Sequence, residues 1–140
     1  MLKIGLDIHG VIDSDPDFFR ELTRKLHKEG HMVFVLTGRE ICNEILQELN
    51  SHGIYYDELF SITSYHKSIG THMSYLNGDK TQPLINPIKW DRTKADYAER
   101  VGLDIHFDDS IDYKEYFVGK TQYILFSPAI KSFLETLTRI

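Results

Sequence analysis

The chain has a single cysteine among its 140 residues, Cys42, which excludes a disulfide framework and a cysteine metal site. It has no apolar run close to the roughly 20 residues that a membrane-spanning helix needs. Basic residues are not in excess, since 16 Lys and Arg stand against 21 Asp and Glu, a formal net charge of -5. The missing apolar run argues against a membrane span, and the acidic balance argues against a nucleic-acid backbone as the main partner, because binding such a backbone needs a basic surface.

What remains is the composition of an ordinary globular protein. The length predicts one domain over residues 1–140, enough to bury roughly two-thirds of the unfolded surface. The N-terminus enters an apolar strand with no signal-peptide pattern, so we expect a cytoplasmic protein. A small anionic substrate stays compatible with the acidic balance, because a bound Mg²⁺ and one or two Lys or Arg can make a local positive pocket.

Strand-type and helix-type apolar patterns alternate along the chain, which is typical of an α/β protein with a parallel sheet. We therefore predict a three-layer, Rossmann-like fold with a parallel sheet of about five strands. The predicted strands cover residues 3–8, 31–36, 59–63, 103–107 and 122–126, and the predicted helices lie near residues 15–30, 41–53, 91–101 and 128–137.

Residues 64–90 interrupt this alternation with glycines, prolines and scattered aromatic side chains. A long irregular stretch in a compact domain is typical of a functional or mobile segment. We interpret it as an irregular insertion or minimal cap, and the alternative is a solvated loop pinned by a few aromatics. Tyr65, Tyr75 and Trp90 are the candidates to cover a pocket or to stack on a nucleotide base. His66 and His72 do not have a recognised zinc spacing.

Acidic residues follow two of the predicted strands, Asp7 after the first and Asp108-Asp109 after the fourth. The carboxyl ends of parallel strands share one edge of the sheet, where ligands bind. Three carboxylates on that edge repel each other, and a hard cation such as Mg²⁺, which prefers oxygen ligands, explains such a cluster. The alternative is that each acid caps the helix that follows it.

The chemistry-bearing residues have a recognisable order: Asp7, then Thr37-Gly38-Arg39, then a lysine near the fourth strand, then Asp108-Asp109-Ser110. This order resembles the four motifs of the haloacid dehalogenase superfamily of phosphohydrolases, over nearly the whole chain. The resemblance implies a Mg²⁺-dependent phosphohydrolase that acts on a small phosphorylated substrate through an aspartyl-phosphate. A nucleotide is the first guess for that substrate.

The resemblance also assigns catalytic roles. Asp7 matches the nucleophile that attacks phosphorus. Thr37 matches the hydroxyl that donates to the phosphoryl group, helped by the backbone N–H of Gly38. Arg39 reaches a second anionic group of the substrate, or is an ordinary surface arginine. The motif lysine, which stabilises charge on the phosphoryl oxygens, is Lys94, with Lys89 as the alternative.

The implied Mg²⁺ ligands are Asp7, the backbone carbonyl of His9, and one or both of Asp108 and Asp109. His9 departs from the family, because the phosphatases have a second Asp there as proton donor and acceptor. Histidine, with an unperturbed pKa of about 6.5, can take over either role. Loss of a proton donor typically costs about 10²–10⁴-fold in rate.

Three other interpretations remain. The chain is an attenuated domain that binds Mg²⁺ and phosphate in a regulatory role, if His9 does not support turnover. A response-regulator receiver would need its acid pair after the first strand and a phosphorylated Asp after the third, where this chain has Thr63-Ser64. A dehalogenase needs no metal, which the retained Asp108-Asp109 pair argues against.

Overall fold

Five parallel strands form one sheet in the computed structural model, which describes residues 1–75 and 83–140. This confirms the predicted α/β class and the five-stranded parallel sheet. The strands are β1 (Lys3–Asp7), β2 (Met32–Thr37), β3 (Glu58–Ser61), β4 (Ile105–Asp108) and β5 (Gln122–Leu125), in the order β3-β2-β1-β4-β5.

Helices cover both faces of the sheet. In the described part of the chain they are α1 (Pro16–Lys28), α2 (Asn43–Ser51), α3 (Ile62–Ser68), α4 (Pro87–Val101) and α5 (Pro128–Thr138), with short 3-10 helices at Ile12–Ser14 and Ile111–Tyr116. None of these described helices has both the length and the apolar character to cross a lipid bilayer.

The core has two halves because side chains alternate between the faces of a strand. Val33 and Val35 of β2 pack on the side of α1, α2 and α5, and Phe34 and Leu36 pack on the side of α3 and α4. β2 is therefore apolar along its whole length, as expected for a central strand of a parallel sheet covered on both faces.

Helix starts follow their capping residues. Asp15 accepts a hydrogen bond from the Phe18 N–H at 3.2 Å, and Pro16 opens α1 close to the predicted start at residue 15. Asn86 accepts from the N–H groups of Ile88 and Lys89, so α4 begins at Pro87 rather than at the expected residue 91. The Asn-Pro pair was a start signal that the pattern analysis missed.

The predicted irregular segment is shorter than expected at both ends. α3 extends to Ser68, and α4 begins at Pro87. Between them, Ser74 and Leu84 pair in an isolated antiparallel bridge. The Asn77-Gly78 part of the prediction lies outside the described residues. The helix predicted near residues 41–53 begins at Asn43, and in this region Ile45 and Leu49 are buried whereas Ile41 and Leu46 are exposed.

The order of the strands creates a switch point beside β1. The chain proceeds from β1 to β2 and β3 on one side, and it later adds β4 and β5 on the other. Asp7 lies opposite Leu36 of β2, and Leu6 lies opposite Phe107 of β4. The carboxyl ends of β1, β2 and β4 thus meet at one edge, the position where open parallel sheets bind ligands.

Candidate active site

A cavity of about 270 Å³ lies at this carboxyl edge. All eight residues that the sequence analysis assigned to the site line it, together with three others. The lining residues are Asp7, His9, Thr37, Gly38, Arg39, Trp90, Lys94, Asp108, Asp109, Ser110 and Tyr113. Lys89 is exposed and does not line the cavity, so the structure places Lys94 rather than Lys89 in the site.

Lys94 is the centre of the charged cluster. The helical spacing that buries Trp90, Lys94 and Ala98 turns this lysine toward the sheet, where it is 1% exposed. Its Nζ lies 3.1 Å from Asp7 Oδ1 and 2.6 Å from Asp108 Oδ2. Burial lowers the pKa of Lys94, but the two carboxylates outweigh burial and hold that pKa above its usual range. The ammonium therefore stays charged in the interior.

The two buried carboxyls respond to this environment in opposite ways. Burial raises the pKa of Asp7 to about 7; Lys94 opposes the rise and Asp108 adds to it. Burial also acts to raise the pKa of Asp108, but Lys94 and a hydrogen bond from His106 bring it below its usual range. Asp108 therefore remains ionised, whereas burial favours the protonated form of Asp7.

The carboxylate set fits a hard divalent cation. Asp7, Asp108 and Asp109 each offer an oxygen, and these atoms lie within 4.8 Å of one another. Three carboxylates against the single ammonium of Lys94 leave an excess of negative charge, and Mg²⁺ prefers oxygen ligands. Gly10 contributes space: it has φ of +104°, and a Cβ there would lie 2.0 Å from Asp109 Oδ2. Only glycine lets Asp109 take this position without displacement.

Thr37 is the last residue of β2 and is buried, and the loop after it is held in place by residues of β3 and α3. The Thr37 hydroxyl accepts a hydrogen bond from the Arg39 N–H at 3.2 Å, which leaves its own proton to donate. The hydroxyls of Thr63 and Ser61 donate to the carbonyls of Gly38 and Arg39 at 2.6 and 2.5 Å. The loop is therefore fixed, whereas the Arg39 side chain is exposed at the mouth of the cavity.

His9 has a partner that the sequence analysis did not identify. Its Nε2 lies 3.2 Å from Oε1 and 3.1 Å from Oε2 of Glu48, and the two side chains are 28% and 29% exposed. Glu48 sits on the inward face of α2, between the buried Ile45 and Leu49. The sequence signal for Glu48 was an acidic residue at an inward position of an amphipathic helix, but this signal does not reveal that its partner is His9.

His106 is a second residue that the sequence analysis missed. It is fully buried, and its Nε2 lies 2.9 Å from Asp108 Oδ2. Burial lowers the pKa of His106 despite the nearby carboxylate, so the ring is neutral and donates its Nε2–H to Asp108. A Cβ on Gly5 would lie 2.5 Å from its Nδ1, so a glycine on β1 makes room for the ring. The signal was its spacing of two residues from Asp108, which places both on one strand face.

Aromatic residues expected over the pocket belong largely to the core. Trp90 is buried, donates its Nε1–H to the Tyr113 hydroxyl at 3.2 Å, and packs so closely that a Cβ on Gly38 would lie 2.9 Å from its ring. Tyr65 packs against Phe60, with ring centroids 5.8 Å apart. Tyr65 does not line the cavity, whereas Trp90 lines it as a buried side chain held by these contacts. Tyr75 is half-buried and does not line the cavity.

The histidines of the predicted insertion do not form a metal site with each other. His66 is buried and uses both ring nitrogens, Nδ1 with the Thr71 hydroxyl at 2.8 Å and Nε2 with the Thr93 hydroxyl at 2.7 Å. His72 is exposed. His66 therefore acts as a structural link between α3 and α4.

Comparisons of the chain with protein-family models, with curated proteins and with solved structures found no match. The haloacid dehalogenase resemblance therefore depends on the order of the motifs in the sequence and on the chemistry of the residues in this cavity.

Proposed function

We propose that the protein is a Mg²⁺-dependent phosphohydrolase of the haloacid dehalogenase type, acting on a small phosphoester. The observation that carries the proposal is the position of Lys94, buried and bonded to carboxylates at the ends of two adjacent strands. Thr37 lines the same cavity from a third strand. A nucleophile, a cation and a hydroxyl donor around one small cavity are the groups that phosphoryl transfer needs.

In the first step, an Asp7 carboxylate oxygen attacks the phosphorus of the substrate. The bond from phosphorus to the leaving oxygen breaks, and the leaving group keeps the electron pair and takes up a proton from solvent water. Lys94, the Thr37 hydroxyl and the Gly38 N–H stabilise the charge that develops on the phosphoryl oxygens. The product on the enzyme is an acyl phosphate of Asp7.

In the second step, a water oxygen attacks the same phosphorus. The bond to the Asp7 oxygen breaks, which regenerates the carboxylate and releases inorganic phosphate, and the proton from the water passes to His9. Asp7, Asp108 and Asp109, with the backbone carbonyl of His9, would hold Mg²⁺, which when bound neutralises charge on the phosphoryl group.

The size and lining of the cavity favour a small substrate. A volume of about 270 Å³ with Arg39 at its mouth suits a phosphate and a short anionic or polar group. The nucleotide guess loses part of its support, because Tyr65 packs in the core and Trp90, which lines the cavity, is a buried side chain packed against Gly38. We therefore propose a small phosphoester and assign no base.

Hydrolysis of para-nitrophenyl phosphate by the wild type, with and without Mg²⁺, tests this function. Its good leaving group needs little help from a general acid, so the assay isolates the nucleophile and the metal from His9. We expect turnover that needs Mg²⁺ and that falls to background in Asp7→Asn. Lys94→Ala should lose at least about 10²-fold in rate, as typically follows the removal of one group that stabilises the developing charge, and Lys89→Ala is the control on the same helix.

Turnover that is unchanged in Asp7→Asn would refute the mechanism, and equal effects of the two lysine variants would refute the role of Lys94. The second candidate function is an attenuated domain that binds Mg²⁺ and phosphate without turnover. The observation that favours it is His9 in place of the family's second Asp. Binding of Mg²⁺ and inorganic phosphate in calorimetry, with no hydrolysis by the wild type, would support this second candidate.

A further inference from the structure

We propose that Glu48 is a positioning residue that fixes the orientation and the tautomer of the His9 ring at the mouth of the cavity. Both carboxylate oxygens of Glu48 lie within 3.2 Å of His9 Nε2. The two residues are 39 positions apart, so the pair joins the loop after β1 to α2. The role of this pair in turnover rests on the proposed function, whereas the contact between Glu48 and His9 does not.

The surroundings of Glu48 indicate that this contact, rather than general solvation, determines its place. It lies on the inward face of α2, next to the buried Leu49. Within the described part of the chain its Oε1 forms the hydrogen bond with His9 Nε2, and its Oε2 is buried with no hydrogen-bond partner of its own. A carboxylate turned inward loses contact with water, and a hydrogen bond to a ring N–H compensates for part of that loss.

The consequence for His9 follows from the two distinct nitrogens of imidazole. A carboxylate only accepts hydrogen bonds, so Nε2 must carry the proton. In the neutral ring, Nδ1 then has the lone pair and is the nitrogen that can accept a proton from the attacking water. A carboxylate that holds a histidine in one tautomer and one orientation is a recurring arrangement for histidine bases.

Nitrogen NMR of the full-length protein at alkaline pH tests the pairing without any need for turnover. The ring signals of His9 are assigned by their loss in His9→Asn. We expect wild-type His9 to show the tautomer protonated at Nε2, and Glu48→Ala to show a mixture of both tautomers. Glu44→Ala, which removes an exposed glutamate one turn earlier on α2, should retain the wild-type signals. A wild-type ring protonated at Nδ1, or no change in Glu48→Ala, would overturn the proposal.

Kinetics then test whether the position matters for catalysis. We expect Glu48→Ala to slow release of phosphate from the phosphorylated enzyme about 10–100-fold, the range typical when a group that orients a functional histidine is lost. The formation of the acyl phosphate, seen as the initial burst of para-nitrophenol, should be nearly unchanged. The double variant with His9→Ala should be no slower than His9→Ala alone, because Glu48 acts through His9.

Additive losses in the double variant would overturn the positioning role. Urea unfolding establishes whether each variant is folded, and if Glu48→Ala is not, Glu48→Met supplies a side chain of similar length without an acceptor. If the wild type lacks Mg²⁺-dependent turnover, the proposed function fails, whereas the NMR measurement still decides whether Glu48 holds His9.

Discussion

Asp7, Asp108 and Asp109 share the rim of the cavity with one buried ammonium, that of Lys94. Removing water from two carboxylates and a lysine is costly, and this cost is recovered only where the partners lie in direct contact. Here Lys94 Nζ lies 3.1 Å from Asp7 Oδ1 and 2.6 Å from Asp108 Oδ2, and His106 Nε2 hydrogen-bonds Asp108 at 2.9 Å. At the scale of single residues, the site is therefore a cluster of three carboxylates whose negative charge the Lys94 ammonium neutralises only in part.

Gly10 gives the sharpest prediction at this scale. Gly10→Ala should lower the affinity for Mg²⁺, because its Cβ would displace Asp109, and it should also destabilise the fold by about 1–2 kcal/mol through its left-handed backbone. Gly30→Ala is the matched control, since Gly30 has φ of +87° but no atom within 4 Å of an added Cβ. Gly30→Ala should therefore lower the free energy of unfolding through the left-handed backbone and leave the Mg²⁺ affinity unchanged.

Titration calorimetry with Mg²⁺ and urea unfolding of both variants provide the measurement. Equal Mg²⁺ affinities in Gly10→Ala and Gly30→Ala would mean that the position of Asp109 does not matter for the metal.

At the scale of elements, a buried polar link joins α3 to α4. Both helices lie over the second half of the core, and His66 of α3 bonds the Thr93 hydroxyl of α4 and the Thr71 hydroxyl just after α3. Thr93 in turn donates to the Lys89 carbonyl at 2.5 Å within α4. Because α4 carries Lys94, a loss of this link would disturb the element that delivers the cation to the site.

The pH dependence of stability should report this link. Burial lowers the pKa of His66 below its usual value; a hydrogen bond with the Lys89 backbone opposes this effect, and the Lys89 charge adds to it. The unfolded chain then binds the proton more readily, so the His66 contribution is fully present above about pH 6.5 and is lost as the pH falls toward its folded-state pKa. We expect the free energy of unfolding of the wild type to fall more steeply than that of His66→Gln as the pH is lowered from 7.

The measurement is urea unfolding at several pH values, and the quantity compared is the difference in free energy of unfolding between the wild type and His66→Gln. This difference is needed because Asp7, whose pKa is raised to about 7, contributes stability that is lost as the pH rises over the same range. His72→Gln removes an exposed histidine from the same region and is the control. Parallel curves for wild type and His66→Gln would contradict the prediction.

At the scale of the whole molecule, the site joins segments that are distant in sequence. Asp7 and Lys94 are 87 residues apart, and the register of β1 against β4 brings Asp7 beside Asp108. A ligand of this cluster contacts the folded chain but has no preformed site in the unfolded chain. Binding there should therefore stabilise the entire domain by mass action.

Mg²⁺ should accordingly raise the thermal midpoint of unfolding. A concentration 100 times the dissociation constant contributes about 2.7 kcal/mol. Asp109→Asn should lose most of this effect, because it removes one of the three carboxylates and, being exposed, costs little stability of its own. Asp112→Asn, an exposed acid three residues later, should respond like the wild type. Thermal scans with increasing MgCl₂ make the comparison, and equal midpoints for both variants would contradict this metal site.

Patterns confined to short stretches of sequence determined the α/β class, the five strands and the acids at their ends. The alternation of side chains and the capping residues are local, and parallel strands necessarily present Asp7, Thr37 and Asp108 at one edge. The same local logic failed where a signal was incomplete, as at the start of α4, whose cap is Asn86.

Tertiary structure alone decided which distant side chains meet. The rotation of α4 about its axis turns Lys94 inward and leaves Lys89 exposed, and the docking of α2 brings Glu48 to His9. The packing of α3 and α4 also made Tyr65 and Trp90 part of the core instead of a lid. These outcomes depend on how helices are rotated and packed against the sheet, which no short stretch of sequence specifies.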